Sequence, residues 1–363
     1  MPSLVGSEMC IRDSTNGVSH RKWLFSCNPK LSDLITECIG EDWIRNFRAI
    51  ALLREHATDP EILQRFLEIK RENKKKFSAC ILHQANHYSC WKQEWNTARD
   101  FGEGALFDVQ VKRIHEYKRQ LMNGLHALHL YHTYKKNPPK DSVKRIIIIG
   151  GKAAPNYVMA KHIIRFIYCL SRKINNDSDL HPFLKLIFME NYNVSLAERI
   201  IPAADLSQQI SCAGFEASGT SNMKFAMNGA LTIGTRDGST IEMERSIGKA
   251  AWPFAFGGTI EEIEKIHQNG YDPKQVVQKN AELHTVLQSL IDRSLTKDEA
   301  EHKALIAIHH SLLESSDDRL ADYFCVLYDF PSYCAAQERV TALYRNPVSY
   351  THLTLPTSDL VQI

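Results

Sequence analysis

The sequence lacks the features that mark several classes of protein. Between residues 16 and 347 it has no low-complexity tract, no internal repeat and no G-x-G-x-x-G motif. No apolar run approaches the ~20 residues that a membrane-spanning helix needs. Lys and Arg number 44 and Asp and Glu number 42, so the net charge is only +2. We therefore expect neither a membrane nor a nucleic acid as a partner.

The nine cysteines form no C-x-x-C pair, and their number is odd. Scattered cysteines of this kind are typical of reduced thiols, which predicts a cytoplasmic protein. Of the 363 residues, 44% are hydrophobic and 24% are charged, the balance of a soluble globular protein. This length allows two or three domains and a core that needs neither disulfides nor metals, and we predict no metal site.

The two ends of the chain carry no regular pattern. Residues 1–14 mix polar and apolar side chains without a period, and residues 348–363 are rich in Ser, Thr and Leu. The first segment also lacks the basic start and the apolar centre of a signal peptide. We interpret both segments as translated sequencing-adaptor read-through, with frayed native termini as the alternative. The predicted domain is therefore 15–347, and we expect it to be a fragment of a longer protein.

From residue 107 the pattern alternates between short apolar segments and helices. Four segments are predicted to be strands: 107–111, 144–151, 184–189 and 230–234. Three helices are predicted between them: one from about residue 114, one at 159–171 and one from residue 195. This order predicts an α/β fold with a parallel sheet that helices cover on both faces, and a ligand beyond the carboxyl ends of the strands.

The flanking regions are predicted from the same periodicity. Residues 32–76 and 260–345 have the apolar spacing of helices, whereas residues 83–105 are irregular and predict a long loop. A glycine turn at 150–155 follows the second predicted strand. It lacks the spacing of a phosphate-binding P-loop, so we interpret it as a tight turn from strand to helix.

A cluster of cations follows the first predicted strand. Lys112 and Arg113 lie where this strand leads into a helix, and Lys118 follows about one turn later. Cations at a helix N-terminus oppose the helix dipole unless an anion lies between them and the free N–H groups. The segment therefore indicates a phosphate site, although an exposed basic helix start is equally compatible with the sequence.

The segment 216–224 combines small and hydroxyl-bearing residues with a lysine. Residues 217–219 permit a close backbone approach, and residues 220–222 are of types that begin helices. Lys224 follows beside apolar neighbours, which favour a depressed pKa and a nucleophilic amine. A phosphate-binding turn next to such a lysine is what covalently bound pyridoxal phosphate requires. An ordinary capped helix with a surface lysine is the alternative.

Long stretches of the sequence resemble the α-glucan phosphorylases, the family of glycogen, starch and maltodextrin phosphorylases. The matching motifs are 107–120, 148–155, 190–198, 201–205, 209–211 and 216–235, with 15–17, 21–24 and 337–347 near the two ends. Members of this family are longer and have the two-domain glycosyltransferase-B fold. The resemblance implies that this chain is the Rossmann-like C-terminal half of that fold, incomplete at its own C-terminus.

The resemblance also implies an activity. It is the phosphorolysis of terminal α-1,4-glucosidic bonds of glycogen, starch or maltodextrin by inorganic phosphate, which gives α-glucose 1-phosphate. The implied cofactor is pyridoxal 5'-phosphate, whose phosphate group acts as acid and base. The intact enzyme is expected to be a homodimer, and this chain alone is expected to be inactive. The alternative function is a nucleotide-binding Rossmann module, which the absence of G-x-G-x-x-G disfavours.

The family's functional residues correspond to positions in this sequence. The implied cofactor residues are Lys224, as the Schiff-base lysine, with Lys112, Gly219, Thr220, Ser221, Tyr192 and Trp23. The implied catalytic cations are Lys112, Arg113 and Lys118, of which Arg113 and Lys118 recruit inorganic phosphate. The implied glucose contacts are Asn16, Glu216, Ala217, Ser218 and Gly219. The sequence departs from the family at Asn193, where some members carry arginine, at Ser221, which replaces a glycine, and in the stretches 83–105, 238–240 and 249–258.

Overall fold

The computed structural model describes residues 18–87, 101–102, 104–139, 143–216, 219–248, 252, 254–317, 319–346, 350 and 354. The predicted non-native segments lie outside these residues, except for two positions in the second one. Of these, Tyr350 is buried, and its hydroxyl donates a hydrogen bond of 3.1 Å to Asp205 Oδ1.

The first part of the described chain is helical, as the periodicity predicts. It consists of a π-helical turn Arg21–Ser26, helices α1 (Pro29–Ile39) and α2 (Asp42–Arg45), a 3-10 helix Phe47–His56 and helix α3 (Pro60–His87). Because α3 continues to His87, the loop predicted at 83–105 begins later than expected. Residues 88–100 of that loop lie outside the described residues.

The centre of the fold is a parallel sheet whose strand order is β3-β2-β1-β4-β5. The strands are β1 (Leu106–Val111), β2 (Arg145–Gly150), β3 (Leu184–Met189), β4 (Leu206–Gln209) and β5 (Leu231–Gly234). Every residue of these strands is buried, so both faces of the sheet are covered. The predicted α/β class and parallel sheet are therefore confirmed, and β4 is a strand that the sequence did not predict.

Two groups of helices pack around the sheet. The connecting helices are α4 (Gln120–Lys136), α5 (Val158–Asn175), α6 (Val194–Ala203) and α7 (Ser221–Met227). The later helices are α8 (Ser239–Ile247), α9 (Ile260–Asn269), α10 (Pro273–Lys279), α11 (Ala281–Ile291), α12 (Glu299–Leu313) and α13 (Val326–Tyr344). Helices α11 and α13 pack on α4, and α12 packs on α5, whereas α3 packs on α6. Within the described chain, no helix is both long enough and apolar enough to cross a bilayer.

The helix predicted from about residue 114 begins only at Gln120, and this corrects the sequence analysis. A short 3-10 turn, Glu116–Lys118, comes first, and its Tyr117 N–H donates to His115 Nδ1. Arg119 then adopts a left-handed conformation with φ +55°. Its buried guanidinium donates to Ile210 O at 2.7 Å and to Asp329 Oδ2 at 2.6 Å. These tertiary contacts hold the backbone out of the helix, so Lys112 and Arg113 lie in a loop.

The order of the strands creates a crevice beside β1. The chain runs outwards from β1 through β2 to β3, and then returns to place β4 on the other side of β1. In parallel sheets, ligands bind where the order reverses in this way, outside the carboxyl ends of the strands. Here that position lies between Lys112, which directly follows β1, and Gln209, the last residue of β4.

Candidate functional site

A cavity of about 720 Å³ lies at the carboxyl edge of the sheet. Four predicted site residues line it: Trp23, Arg113, Tyr192 and Lys224. The other lining residues are Ser19, Lys22, Lys152, Asn193, Val194 and Ala197. Among these described residues four side chains are cationic and none is acidic, so the cavity favours an anionic ligand.

Lys224 and Trp23 meet on one wall of this cavity. Lys224 projects from α7, and its Nζ lies 4.1 Å from the centroid of the Trp23 ring. Asn228 fixes both backbones, because its Nδ2 donates to Lys224 O at 2.9 Å and to Trp23 O at 2.5 Å. Burial lowers the pKa of the Lys224 ammonium, which favours a neutral, nucleophilic amine.

Tyr192 reaches the same cavity from the segment that follows β3. Burial raises the pKa of its phenol to about 12, so the hydroxyl stays protonated near neutral pH. Val194, the first residue of α6, is 49% exposed at the rim. Tyr192 and Trp23 therefore both contribute aromatic, uncharged side chains to the lining of the cavity.

Lys112 lies at the end of β1, where the backbone leaves little space. Its amide donates to Gly150 O at 3.0 Å, and a Cβ on Gly151 would lie 2.1 Å from Lys112 O. The Lys112 ammonium donates to Gln209 Oε1 at 3.0 Å. Burial lowers the pKa of Lys112 to about 8, against the attraction of the Glu216 carboxylate. Lys112 is therefore a cation whose hydrogen-bond partner in the described chain is a neutral amide.

Lys118 and Glu216 form an ion pair beside this position. The Lys118 ammonium donates to the two Glu216 carboxylate oxygens at 2.8 and 3.1 Å. The Ser211 hydroxyl donates to Glu216 Oε2 at 2.7 Å. Burial opposes both charges, but Glu216 outweighs it and raises the pKa of Lys118, while Lys112 and Lys118 lower the pKa of Glu216. Both groups are therefore charged at neutral pH.

The backbone around Glu216 is held by residues that the sequence analysis did not single out. The Glu216 N–H donates to Asp237 Oδ2 at 2.8 Å, and the Gly219 N–H donates to Ser239 Oγ at 3.4 Å. Burial raises the pKa of Asp237, although the backbone N–H groups that it accepts oppose this shift. Asp237 and Ser239 lie in the stretch that follows β5, so only the fold brings them to Glu216.

The structure thus gathers most of the predicted site residues at one edge of the sheet. Ser221 is the first residue of α7, and Gly219 and Thr220 directly precede it, so the three residues lie within five positions of Lys224. Arg113 is exposed and lines the cavity, and its backbone carbonyl accepts a hydrogen bond from Gln120 Nε2 at 2.9 Å. Three predicted glucose contacts lie outside the described residues: Asn16, Ala217 and Ser218.

Two further residues at this edge were missed. Gln209 belongs to a motif of the resemblance, but no role was predicted for it, and its side chain contacts both Lys112 and Ser221. Lys152 lines the cavity from the turn after β2, and its position directly after the glycine pair is the signal that could have identified it. In the described parts of the chain, no group of three or more His, Cys, Asp or Glu side chains is arranged to hold a metal.

The arrangement combines two chemical capabilities. A partly buried lysine amine next to an indole ring can capture a carbonyl compound, because its lowered pKa makes the neutral amine available. Arg113, which lines the same cavity, can stabilise a phosphate group near that amine, and Lys112 and Lys118 add two cations at the same edge of the sheet. The edge of the sheet therefore suits a phosphorylated carbonyl compound together with a second anion.

Comparisons with known proteins identify the family of this chain. The carbohydrate phosphorylase family matches residues 8–359. The muscle form of glycogen phosphorylase from Ovis aries is 42% identical over 347 residues, and the liver form from Bos taurus is 42% identical over 348 residues. The muscle form from Homo sapiens is 41% identical over 347 residues. Each alignment covers 95% of this chain and 38% of the relative. The chain belongs to the carbohydrate phosphorylase family.

Proposed function

We propose that residues 15–347 form the cofactor- and phosphate-binding domain of an α-1,4-glucan phosphorylase. This domain is the C-terminal half of a glycosyltransferase-B fold. The proposed reaction is the attack of inorganic phosphate on a terminal α-1,4-glucosidic bond of glycogen, starch or maltodextrin, with α-glucose 1-phosphate as the product. The proposal rests on one observation above all: Lys224 and Arg113 line one cationic cavity in a chain whose relatives are glycogen phosphorylases.

Pyridoxal phosphate fits the residues around the cavity. Lys224 supplies an amine for covalent attachment, and Trp23 and Tyr192 supply aromatic surface for the pyridine ring. Lys112 supplies a positive charge for the cofactor's phosphate group, because its described hydrogen-bond partner is a neutral amide. Residues 219–221 are proposed to surround the same phosphate.

The cations of the loop after β1 are proposed to hold inorganic phosphate. When bound, the cofactor supplies a phosphate group that can exchange a proton with this second phosphate. Two phosphate groups at close range repel each other unless cations lie between or beside them. Lys112, Arg113 and Lys118 provide these cations, and Arg113 and Lys118 are proposed to recruit the attacking phosphate. This arrangement differs from a glycosidase, which uses two carboxyl groups.

Glu216 is proposed to contact the terminal glucose, together with Asn16 and residues 217–219. The chain spans 38% of the length of the relatives it matches. We assign the complete activity to the whole enzyme, proposed to be a cytoplasmic homodimer, and expect little or no turnover by this chain alone. Val194 and Lys22 are exposed at the rim of the cavity, so a bound glucan would need contacts there from another part of the whole enzyme.

Two binding experiments and one assay test this function. Calorimetric titration with pyridoxal phosphate and then with inorganic phosphate should show that both ligands bind. Arg113→Met should lower the affinity for inorganic phosphate about tenfold or more, since a charge-assisted contact is lost. Arg54→Met, a change at an exposed arginine distant in sequence, is the matched control. Release of glucose 1-phosphate from glycogen should be weak or absent. Binding of NAD without binding of pyridoxal phosphate would overturn the proposal in favour of a dinucleotide module.

A further inference from the structure

We propose that Gln209 is a positioning residue that directs the Lys112 ammonium to the phosphate group of the cofactor and keeps its charge free for that phosphate. This inference rests on the proposed function, and it assigns a role to a side chain that touches neither the aromatic wall nor Lys224 among the described contacts. Gln209 is buried at the end of β4, directly across the crevice from the end of β1.

The hydrogen bonds of Gln209 fix the orientation of its amide. Nε2 donates to Ser207 Oγ at 2.9 Å and to Ser221 Oγ at 3.1 Å. Oε1 is therefore the atom that faces Lys112, and it accepts the Lys112 ammonium at 3.0 Å. Because Nε2 donates both of these hydrogen bonds, the amide is held in one orientation, and Oε1 stays directed at the Lys112 ammonium.

Ser221 connects this amide to the segment that carries Lys224. Its hydroxyl donates to Gln209 Oε1 at 3.3 Å and also accepts from Gln209 Nε2. This connection joins the end of β1, through β4, to the start of α7.

The neutrality of the amide matters because of the charges that surround Lys112. Glu216 is the acidic group whose field reaches Lys112, and Glu216 is already paired with Lys118. A carboxylate in place of the Gln209 amide would form a direct ion pair with Lys112 and would repel a phosphate. Glutamine supplies the same acceptor atom without that negative charge, so it orients the cation and leaves its charge for an anionic ligand.

The test compares two ligands that differ only in the phosphate. Affinities for pyridoxal phosphate and for pyridoxal are measured on the chain, on Gln209→Glu, and on Gln278→Glu, which adds the same charge at an exposed site on α10. Gln209→Glu should reduce the preference for pyridoxal phosphate by about tenfold or more, since a charge-assisted hydrogen bond to phosphate is lost. Its affinity for pyridoxal should be unchanged, and Gln278→Glu should behave like the unaltered chain.

A second measurement follows the protonation of Lys112 directly. The pH dependence of Lys112 acylation, measured by mass spectrometry without any cofactor, should have a midpoint near 8, and Gln209→Glu should raise the pKa by about one unit or more. Gln209→Met keeps the length of the side chain and adds no charge. This variant should also lose the preference for pyridoxal phosphate, but it should not raise the pKa of Lys112. It replaces Gln209→Glu as the test if the glutamate variant does not fold.

The outcomes separate this proposal from the proposed function. A preference for pyridoxal phosphate that survives in Gln209→Glu and Gln209→Met would overturn the role of Gln209 and leave the proposed function intact. An equal loss of both ligands would also overturn it, because that result indicates a structural role only. If the unaltered chain binds no pyridoxal phosphate, the proposed function fails. In that case, a midpoint of Lys112 acylation that does not change in Gln209→Glu would also overturn the contact between Gln209 and Lys112.

Discussion

The Lys224 ammonium lies 4.1 Å from the centroid of the Trp23 ring. The two residues belong to distant parts of the chain: Asn28, shortly after Trp23, and Asn228, shortly after Lys224, are 200 positions apart. The Asn28 side chain donates to Asn228 Oδ1 at 3.0 Å, and Asn228 donates to the carbonyls of both Trp23 and Lys224. The relationship between amine and ring is thus fixed through backbone atoms. It places a partly buried nucleophile at a cationic cavity, which is the central feature of the site.

The ion pair between Lys118 and Glu216 predicts competition with anions. Glu216 holds Lys118 through both carboxylate oxygens, so an incoming phosphate must share this cation. Glu216→Gln should therefore bind inorganic phosphate several-fold more tightly, by about 1 kcal/mol, as measured by calorimetry. Glu72→Gln removes the same charge from the exposed pair with Lys30 and should leave the affinity unchanged. Weaker binding by Glu216→Gln would contradict this interpretation.

The lowered pKa of Lys112 predicts a pH dependence of anion binding. Burial brings the pKa of Lys112 to about 8, so the ammonium is charged below this pH and neutral above it. Affinity for sulfate, whose own charge is constant in this range, should therefore fall as the pH rises through 8. Lys112→Arg should remove this fall, because a guanidinium stays protonated up to a pH of about 12. A fall that persists in Lys112→Arg would assign it to another group, such as Lys224.

The close approach of Gly151 to the Lys112 loop predicts a specific effect of one methyl group. A Cβ at Gly151 would lie 2.1 Å from Lys112 O and 2.8 Å from Ile114 Cδ1, so the loop would have to move. Gly151→Ala should lower the free energy of unfolding by about 1–3 kcal/mol and should weaken sulfate binding. Gly104→Ala, where no atom lies within 4 Å, is the control and should change neither. Equal effects of the two variants would refute the argument.

The buried ion pair between Arg119 and Asp329 predicts a large loss of stability. Their side chains are 0% and 1% exposed, and they lie 2.6 Å apart. Asp329→Ala leaves the guanidinium buried without its counter-charge, which should cost about 3–5 kcal/mol in the free energy of unfolding by urea. Glu299→Ala breaks the exposed pair with Arg293 and should have little effect. Similar losses in both variants would show that burial does not decide the outcome.

The sequence predicted the fold where local patterns determine it. The segments Ile146–Ile149 and Leu184–Met189 are strands buried on both faces, and that burial is visible as a short apolar run, which only Lys185 interrupts in the second segment. Strand β4 was missed because its sequence, LSQQ, is polar. Its side chains are nevertheless buried, since Gln208 donates to Asp108 Oδ1 and Gln209 to Ser207 Oγ. The tertiary fold brings these hydrogen-bond partners together, and no local sequence pattern predicts them.

The same reason explains what could be predicted of the site. Lys112, Lys118 and Lys224 were identified by their residue types and by the resemblance of their motifs. The pairing of Lys118 with Glu216 joins residues 98 positions apart, and the contact of Lys112 with Gln209 joins residues 97 positions apart. Arg119 interrupts the predicted helix because it contacts Asp329, 210 positions away. Such long-range contacts decided the geometry, and the sequence alone could not place them.

Reductive trapping of pyridoxal phosphate tests the central claim most directly. The chain is mixed with pyridoxal phosphate, reduced with borohydride, digested and mapped by mass spectrometry. We predict a label on Lys224 and none on Lys22 or Lys152, which line the same cavity, since burial lowers the pKa of Lys224 and the Trp23 ring lies beside its amine. Lys224→Ala should remove the label. A label that persists in Lys224→Ala, or that lies on Lys22 or Lys152 in the unaltered chain, would contradict the assignment of Lys224 as the cofactor lysine.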